Sequence, residues 1–309
     1  MTQRWVDMQN DNRVKFPWQD PKSSKEDPRA SELIETLIES PTYKLAFQDN
    51  DFLESSQTRG IRLELDYLKA ELQIEKMGIE HTIVVFGSAR IVEQQTAIAR
   101  FNAIEEKLEE NPEDRVLLRE LYVAERMIGK SIYYEDARRF GRLVGESGKH
   151  PEDCRVTIMT GGGPGIMEAA NRGSYDVGAK TIGLNILLPH EQFPNPYVTP
   201  ELCFQFHYFA VRKMHFLNRA KALVVYPGGF GTFDELFETL TLIQTEKTTP
   251  IPVVLVGKSF WDRAINMDFL QEEGVIAADD LDIFKFVDNA NEAWAYITNW
   301  YKEKGEPLF

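Results

Sequence analysis

The chain has 309 residues, of which 43% are apolar, enough for one large domain or two small ones with a buried core. Its 49 acidic and 35 basic residues give a formal charge of -14. Such a charge repels a nucleic-acid backbone, so a nucleic-acid polymer is not the expected partner. A small phosphorylated ligand remains compatible, because backbone N–H groups and one or two arginines can hold it in a cleft.

The N-terminus lacks the apolar segment of a secretory signal, and no run approaches the roughly 18 apolar residues of a membrane span. Cys154 and Cys203 lie far apart and form no C-x-x-C pair, so neither a zinc cluster nor a disulfide framework is predicted. The five histidines show no metal-binding spacing, and we expect no metal. These features predict a cytoplasmic protein that does not enter a membrane.

Residues 1 to about 30 are polar and interrupted by prolines, as is typical of an arm that packs on a domain or partner. From about residue 30 to 77, apolar residues recur three and four positions apart, which predicts amphipathic helices covering the flank of the core. The first clear strand is HTIVVFGSA, residues 81–89. Residues 91–130 are rich in helix-forming residues and predict a helical insertion, followed by a helix ending near Gly148.

Four more strands are predicted, at CRVTIMT, KTIGLNI, ALVVYP and PVVLVG. A helix around Arg212 precedes ALVVYP, and a C-terminal helix follows PVVLVG. Strands that alternate with helices predict an α/β fold, a mostly parallel sheet with helices on both faces. We therefore expect an N-terminal arm and helical extension over residues 1–78. Residues 79–309 are expected to form a Rossmann-like, nucleotide-binding domain.

The first glycine loop, residues 161–165, lies between the strand CRVTIMT and a helix that we expect Gly173 to close. Its glycines are Gly161, Gly162, Gly163 and Gly165. Glycines allow close backbone approach, and the helix N-terminus attracts anions, so the loop predicts an anion or sugar site. A tight turn without a ligand is the alternative. A dinucleotide site is disfavoured, because the spacing is G-x-G-x-G and the next strand ends in Asn185.

The second glycine loop, residues 228–232, follows ALVVYP and precedes a helix that carries Asp234 and Glu235. Thr232 and Glu235 have capping-box spacing, so one interpretation is that they only cap the helix. However, two glycine loops at the carboxyl ends of strands in one sheet are expected to share a crevice. There a phosphate could rest on loop N–H groups, while Glu235 stabilises positive charge on a sugar or takes a proton from water.

The segment PGGFGTFDE, together with the upstream R-K pair, FGSAR and GGGPGIME, resembles the LOG family of nucleoside 5'-monophosphate phosphoribohydrolases over about residues 80 to 260. The resemblance implies hydrolysis of AMP-like or N6-modified AMP substrates to the free base and ribose 5-phosphate, with cytokinin release in some members. It implies no cofactor and at least a homodimer, with residues 232–246 as a contact helix. The extra helical segments correspond to long bacterial members.

The resemblance also implies site residues. Arg212 and Glu235 match the paired catalytic residues, and Gly228, Gly229, Gly231 and Thr232 match the phosphate site. To these we add as nucleotide-binding candidates Gly161, Gly162, Gly163, Gly165, Ser88, Arg90, Met167 and Lys213.

For several of these candidates a structural role is an open alternative. Ser88 and Arg90 could form an ordinary turn, Met167 could belong to the core, and Arg212 could lie on a solvated helix face. We interpret Asp234 as a first-turn residue favoured by the helix dipole.

Two other functions are weighed against hydrolysis: a non-catalytic nucleotide-binding or carrier protein, and a dehydrogenase. Members of the family were often labelled lysine decarboxylases. Nothing in this chain independently supports pyridoxal phosphate chemistry, and we reject that label.

Overall fold

A computed structural model describes residues 20–148, 153, 155–189 and 193–308 of the chain. Cys154 and most of the predicted N-terminal arm lie outside this part. The chain divides into two compact units, Met1–Arg62 and Leu63–Phe309. The proposed boundary at residue 78 stays a prediction.

The helical extension that the sequence predicts is present. Its helices are α1 (Ala30–Glu39), α2 (Asn50–Glu54) and α3 (Arg59–Lys76). The Asp49 side chain caps α2 by accepting the N–H of Phe52 at 3.2 Å. On α3 the buried side chains are Ala70 and Ile74, whereas Leu65 and Leu72 are more than half exposed. Leu65 and Leu72, two of the apolar residues that recur three and four positions apart, are therefore not on the face of α3 that the structure buries.

A seven-stranded sheet forms the centre of the larger unit. Its strands are β1 (His81–Phe86), β2 (Val156–Thr160), β3 (Thr181–Ile186), β4 (Cys203–Phe206), β5 (Ala220–Val225), β6 (Val253–Val256) and β7 (Phe284–Val287). Every pairing is parallel, and the order across the sheet is β4-β3-β2-β1-β5-β6-β7. The parallel sheet predicted from the sequence is confirmed.

The remaining helices connect the strands. They are α4 (Gln94–Glu110), α5 (Arg115–Lys130), α6 (Ile132–Glu146), α7 (Ile166–Asp176), α8 (Phe209–Asn218), α9 (Phe230–Gln244), α10 (Lys258–Ala264), α11 (Met267–Glu272) and α12 (Ala290–Lys304). Helices α4 and α5 form the predicted insertion. Helix α6 ends at Glu146, close to the predicted end near Gly148.

Two apolar layers sandwich the sheet, because successive side chains of a buried strand point to opposite faces. Ile83 and Val85 of β1 pack in one layer with α6, α7 and α12, whereas Val84 and Phe86 pack in the other with α8 and α9. The predicted arrangement of helices on both faces is thus confirmed.

Two strands and one helix end differ from the sequence predictions. The edge strands β4 and β7 were not predicted, since each has only four residues and is partly exposed along its length. Gly173 does not close its helix, which continues to Asp176. A Cβ at Gly173 would lie 1.9 Å from the carbonyl oxygen of Arg138, so this glycine permits close contact between α6 and α7.

Within the described ranges no helix has both the length and the apolar character needed to span a membrane.

Candidate active site

The loops that follow β1, β2 and β5 are joined by backbone hydrogen bonds. The N–H of Ser88 donates to the Pro227 carbonyl at 3.0 Å, and the N–H of Ile166 donates to the Ser88 carbonyl at 3.1 Å. Strands β1 and β5 are the neighbours at which the chain order reverses. In open parallel sheets this point forms a crevice at the carboxyl ends of the strands, where ligands bind. The two glycine loops therefore converge on one crevice.

A cavity of about 310 Å³ occupies this crevice. Its size lies in the range of roughly 300–1,000 Å³ typical of small-molecule sites. Eight predicted site residues line it: Ser88, Arg90, Met167, Arg212, Gly229, Gly231, Thr232 and Glu235. The residues predicted from the sequence thus come from four separate segments of the chain and meet in one cavity.

Glu235 lies on the second turn of α9 and faces the cavity, although only 7% of its surface is exposed. Burial raises the pKa of Glu235 to about 7, against the lowering effect of the positive charges of Lys213 and Arg212. None of the described residues donates a side-chain hydrogen bond to its carboxyl group. This carboxyl can therefore accept or hold a proton near neutral pH.

Arg212 projects from α8 and is held by one hydrogen bond and one aromatic ring. Its Nε donates to the carbonyl of Leu184 at 2.9 Å, and its guanidinium lies 5.1 Å from the ring centre of Phe216. Burial lowers the pKa of Arg212, whereas the charge of Glu235 raises it. Within the described part of the chain, no carboxylate lies within 4.0 Å of this guanidinium. Its remaining N–H groups are available to a ligand in the cavity.

The N-terminal end of α9 opens onto the same cavity. Gly229 is the residue before the helix, and Gly229, Phe230 and Gly231 are exposed. The described residues provide no hydrogen-bond acceptor for the N–H groups of these three. Unpaired N–H groups at the N-terminus of a 15-residue helix are suited to bind an anion, which the helix dipole would also attract.

The capping-box interpretation of Thr232 and Glu235 is wrong. Helix α9 begins at Phe230, so Thr232 lies inside the helix and no side chain caps its start. Thr232 is buried against Gly228, where an added Cβ would lie 2.1 Å from the threonine Oγ1. Gly228 therefore packs against the side chain of Thr232 and does not itself line the cavity.

The four glycines of the first loop do not line the cavity, but Gly161 packs against two residues that do. A Cβ at that position would lie 2.7 Å from Nη2 of Arg212 and 2.9 Å from Sδ of Met167. Gly162 packs against Asn185, and the Gly163 carbonyl accepts the side-chain amide of Asn195 at 3.0 Å. These two glycines lie beneath the site and do not face the cavity.

Gly165 has a different environment from the other glycines of the first loop. Its φ is +75°, and a Cβ there would lie 2.4 Å from the carbonyl oxygen of Ser88. It therefore permits contact between the loops after β1 and β2 and also does not face the cavity.

Lys213 is not among the residues that line the cavity. Its Nζ lies 2.9 Å from a carboxylate oxygen of Asp234 and 2.9 Å from one of Glu238. These ion pairs connect α8 to α9. Asp234 is in the second turn of α9, not in the first turn as interpreted from the sequence. Asp234 lines the cavity, and its carboxylate is paired with Lys213.

Three aromatic residues of the cavity wall were missed: Phe86, Phe209 and Phe230. Phe209 precedes Arg212 by three positions and therefore shares its helix face. Phe230 is the variable residue of the P-G-G-x-G-T motif and is 97% exposed. The spacing of Phe209 and Phe230 from motif residues could have indicated that they line the site. Phe86 carries no such signal, because its position in the sequence is that of an ordinary buried strand residue.

In the part of the chain that the structure describes, no three His, Cys, Asp or Glu side chains are grouped so that they could hold a metal ion.

Comparisons with known proteins give sequence matches to one group. A family model described as "Possible lysine decarboxylase" matches residues 167–297. The chain is 28% identical over 163 residues to the probable cytokinin riboside 5'-monophosphate phosphoribohydrolase LOG4 of Oryza sativa subsp. japonica. That match covers 52% of this chain and 70% of the relative. A second rice protein, cytokinin riboside 5'-monophosphate phosphoribohydrolase LOG, is 29% identical, with 49% of this chain and 60% of the relative covered.

Solved structures with a similar chain path include the molybdenum cofactor carrier protein of Chlamydomonas reinhardtii. The TM-score is 0.43 and the sequence identity is 17%, and the match covers 71% of this chain and 97% of that chain. The molybdenum cofactor binding protein of Rippkaea orientalis gives a TM-score of 0.36 at 19% identity, with 54% and 86% covered.

Proposed function

We propose, from the sequence matches to LOG proteins and from the geometry of the cavity, that this chain is a LOG-family enzyme that hydrolyses the N-glycosidic bond of nucleoside 5'-monophosphates. The products are the free base and ribose 5-phosphate. The proposed substrates are AMP or an N6-modified AMP. One observation carries the proposal: Glu235, Arg212 and the open N-terminus of α9 line the same cavity.

In the proposed complex the 5'-phosphate binds at the N-terminus of α9, on the N–H groups of Gly229, Phe230 and Gly231. An anion is stabilised there by the helix dipole and by the unpaired donors. Arg90 on the facing loop supplies a positive charge. Because Glu235 would repel the phosphate, its carboxylate faces the sugar, one helical turn away.

Glu235 and Arg212 act on the ribose in this scheme. Cleavage of the C1'–N bond develops oxocarbenium-like positive charge, which a buried carboxylate stabilises strongly. Water adds to C1' as the C1'–N bond breaks, and Glu235 accepts the proton of this water. Glu235 then passes the proton to the departing base and is ionised again. A pKa of about 7 suits this proton transfer, because about half of the Glu235 carboxyl groups are ionised at neutral pH and the carboxylate is more basic than one with an ordinary pKa. Arg212 offers a planar fork to a ribose hydroxyl or to the phosphate.

Phe209 and Met167 provide apolar surface for the base. Both line the cavity, and thioether and aromatic groups pack well on the flat face of a purine. Among the described residues of the cavity wall none is a lysine, the residue that would form a Schiff base with pyridoxal phosphate. The hydrolase is therefore preferred over the decarboxylase suggested by the family model's description.

We further propose that the protein is cytoplasmic, needs no cofactor, and works as a homodimer or larger homo-oligomer, as the family resemblance implies. Helix α9 is the proposed contact element.

The test is a panel of purine and pyrimidine monophosphates, with released bases and ribose 5-phosphate measured by chromatography. We expect turnover of AMP or N6-substituted AMP. Glu235→Gln is expected to lower kcat/KM by about 10³-fold, because general base and charge stabilisation are both lost. The matched control is Glu303→Gln, the same change at an exposed position of α12, which should retain full activity.

The pH profile gives a second measurement. The active form has Glu235 ionised, so kcat/KM should fall about tenfold per pH unit below pH 7. If no monophosphate is hydrolysed, yet nucleotides raise the melting temperature and are recovered intact, the protein is a nucleotide-binding or carrier protein and the hydrolase proposal is wrong. A thermal shift with NAD would support the dehydrogenase instead.

A further inference from the structure

A second cavity of about 490 Å³ lies along the inserted helices α4 and α5. Its walls are mostly apolar and include Ile104 from α4 and Val116 and Val123 from α5. Val116 is 66% exposed and Val123 is 43% exposed. The insertion thus keeps apolar side chains open to solvent, where a ligand with an apolar part could cover them.

Three arginines interrupt this apolar surface: Arg90, Arg100 and Arg119. On α5, Arg119 is three positions after Val116 and four before Val123, so all three residues share one helix face. Arg100 has the same spacing from Ala97 and Ile104 on α4. Guanidinium groups therefore occupy helix positions at which an amphipathic helix ordinarily presents apolar residues.

These three guanidinium groups have no acidic partner within the described residues, where no carboxylate lies within 4.0 Å of them. By contrast, Arg219 forms a two-point ion pair with Glu71 at 2.6 and 2.7 Å, and Arg138 pairs with Asp176 at 2.6 Å. The cavity wall contains one acidic residue, Glu120. Three arginines and one glutamate leave a surplus of two positive charges.

We propose that this cavity binds a single-chain alkyl phosphate monoester. Its alkyl chain covers the apolar wall formed by residues such as Ile104 and Val123, and its phosphate is held by the arginines. A phosphate monoester carries about -1.5 to -2 charges at neutral pH, which matches the surplus on the wall. A guanidinium group can donate two parallel hydrogen bonds to phosphate oxygens. These charge-assisted hydrogen bonds are stronger than hydrogen bonds to a neutral group.

The site is separate from the nucleotide cavity but adjoins it. Arg90 lines both cavities, and the other two arginines line only the second. Arg119 is therefore the residue to change, because its loss leaves the nucleotide cavity intact. Binding measured in the absence of nucleotide is independent of whether the protein is a hydrolase.

The experiment is calorimetric titration of the full chain with decyl phosphate below its micelle concentration. We expect saturable binding at one site per chain. Inorganic phosphate tests the head group alone, decyltrimethylammonium tests an alkyl chain with the opposite charge, and decanoate tests a carboxylate head. Each should bind at least tenfold more weakly than decyl phosphate.

Two variants test the location. Arg119→Gln should weaken decyl phosphate binding by about tenfold or more, since one charged hydrogen-bonding group is lost. Arg126→Gln removes the same charge from the same helix outside the cavity and should change affinity less than twofold. The proposal is overturned if wild-type protein shows no saturable binding, if both variants weaken it equally, or if decanoate or decyltrimethylammonium binds as tightly.

Discussion

The two glycine loops follow the same plan of buried strand, glycines and helix, but their glycines have opposite surroundings. In the first loop Gly161, Gly162, Gly163 and Gly165 are all buried. In the second loop Gly229 and Gly231 are exposed, and an added Cβ at either position would meet no atom within 4 Å.

One backbone N–H group in the first loop, that of Gly162, also differs from those of the second loop. In the first loop, the N–H of Gly162 donates to the Thr160 hydroxyl at 2.9 Å, and the following helix begins with Ile166 bound to Ser88. In the second loop, the exposed N–H groups before and at the start of α9 are unpaired among the described residues. Glycine thus serves close packing in the first loop and leaves donors open to a ligand in the second.

The first prediction concerns Gly165→Ala. A positive φ strains any other residue, and the new Cβ would collide with the Ser88 carbonyl, so we expect a loss of about 3 kcal/mol in the free energy of unfolding. Urea denaturation measures it. Gly129→Ala, on α5 with open space around it, is the matched control and should be neutral or slightly stabilising. Equal stability of the two variants would contradict the packing role of the first loop.

A second prediction concerns the charge beside the second loop. Because burial raises the folded-state pKa of Glu235 from 4.5 to about 7, its contribution to stability is present below pH 4.5 and lost as pH rises through 7. Glu235→Gln removes this dependence. The variant should unfold with a free energy roughly 3 kcal/mol larger than wild type at pH 9, and the difference should vanish near pH 4.5.

Unfolding at several pH values checks this second prediction, and Glu303→Gln should show no such trend. The prediction is wrong if the difference in unfolding free energy between Glu235→Gln and wild type does not change with pH. Burial would then not raise the pKa of Glu235.

The smallest effect is expected for Gly231→Ala. The free space around Gly231 predicts a change in unfolding free energy of less than about 1 kcal/mol, because the helix start tolerates alanine. The new methyl group would nevertheless stand where the phosphate approaches, so KM for AMP should rise about tenfold while kcat changes little. Gly129→Ala is again the control in the hydrolysis assay. An unchanged KM would place the phosphate elsewhere.

Much of the site could be predicted because motif residues carry local chemistry. The P-G-G-x-G-T-x-x-E motif indicated that Glu235 and the second glycine loop belong to the site, and strand-end positions indicated Ser88 and Arg90 as cavity residues. The orientation of Lys213 could not be predicted, because its ion pairs depend on the distance between α8 and α9. Adjacent arginine and lysine residues on a helix point in different directions, and only packing decides which one faces a ligand.

The sequence by itself determined the alternation of strands and helices, the inserted helices, and the places where the chain could expose backbone N–H groups, because periodicity and glycine are local properties. Tertiary structure alone decided which glycine loop packs and which stays open, since this depends on the neighbours brought by β1 and α8. It also decided the burial of Glu235, and with it a pKa near 7, because desolvation is a property of the whole assembled crevice.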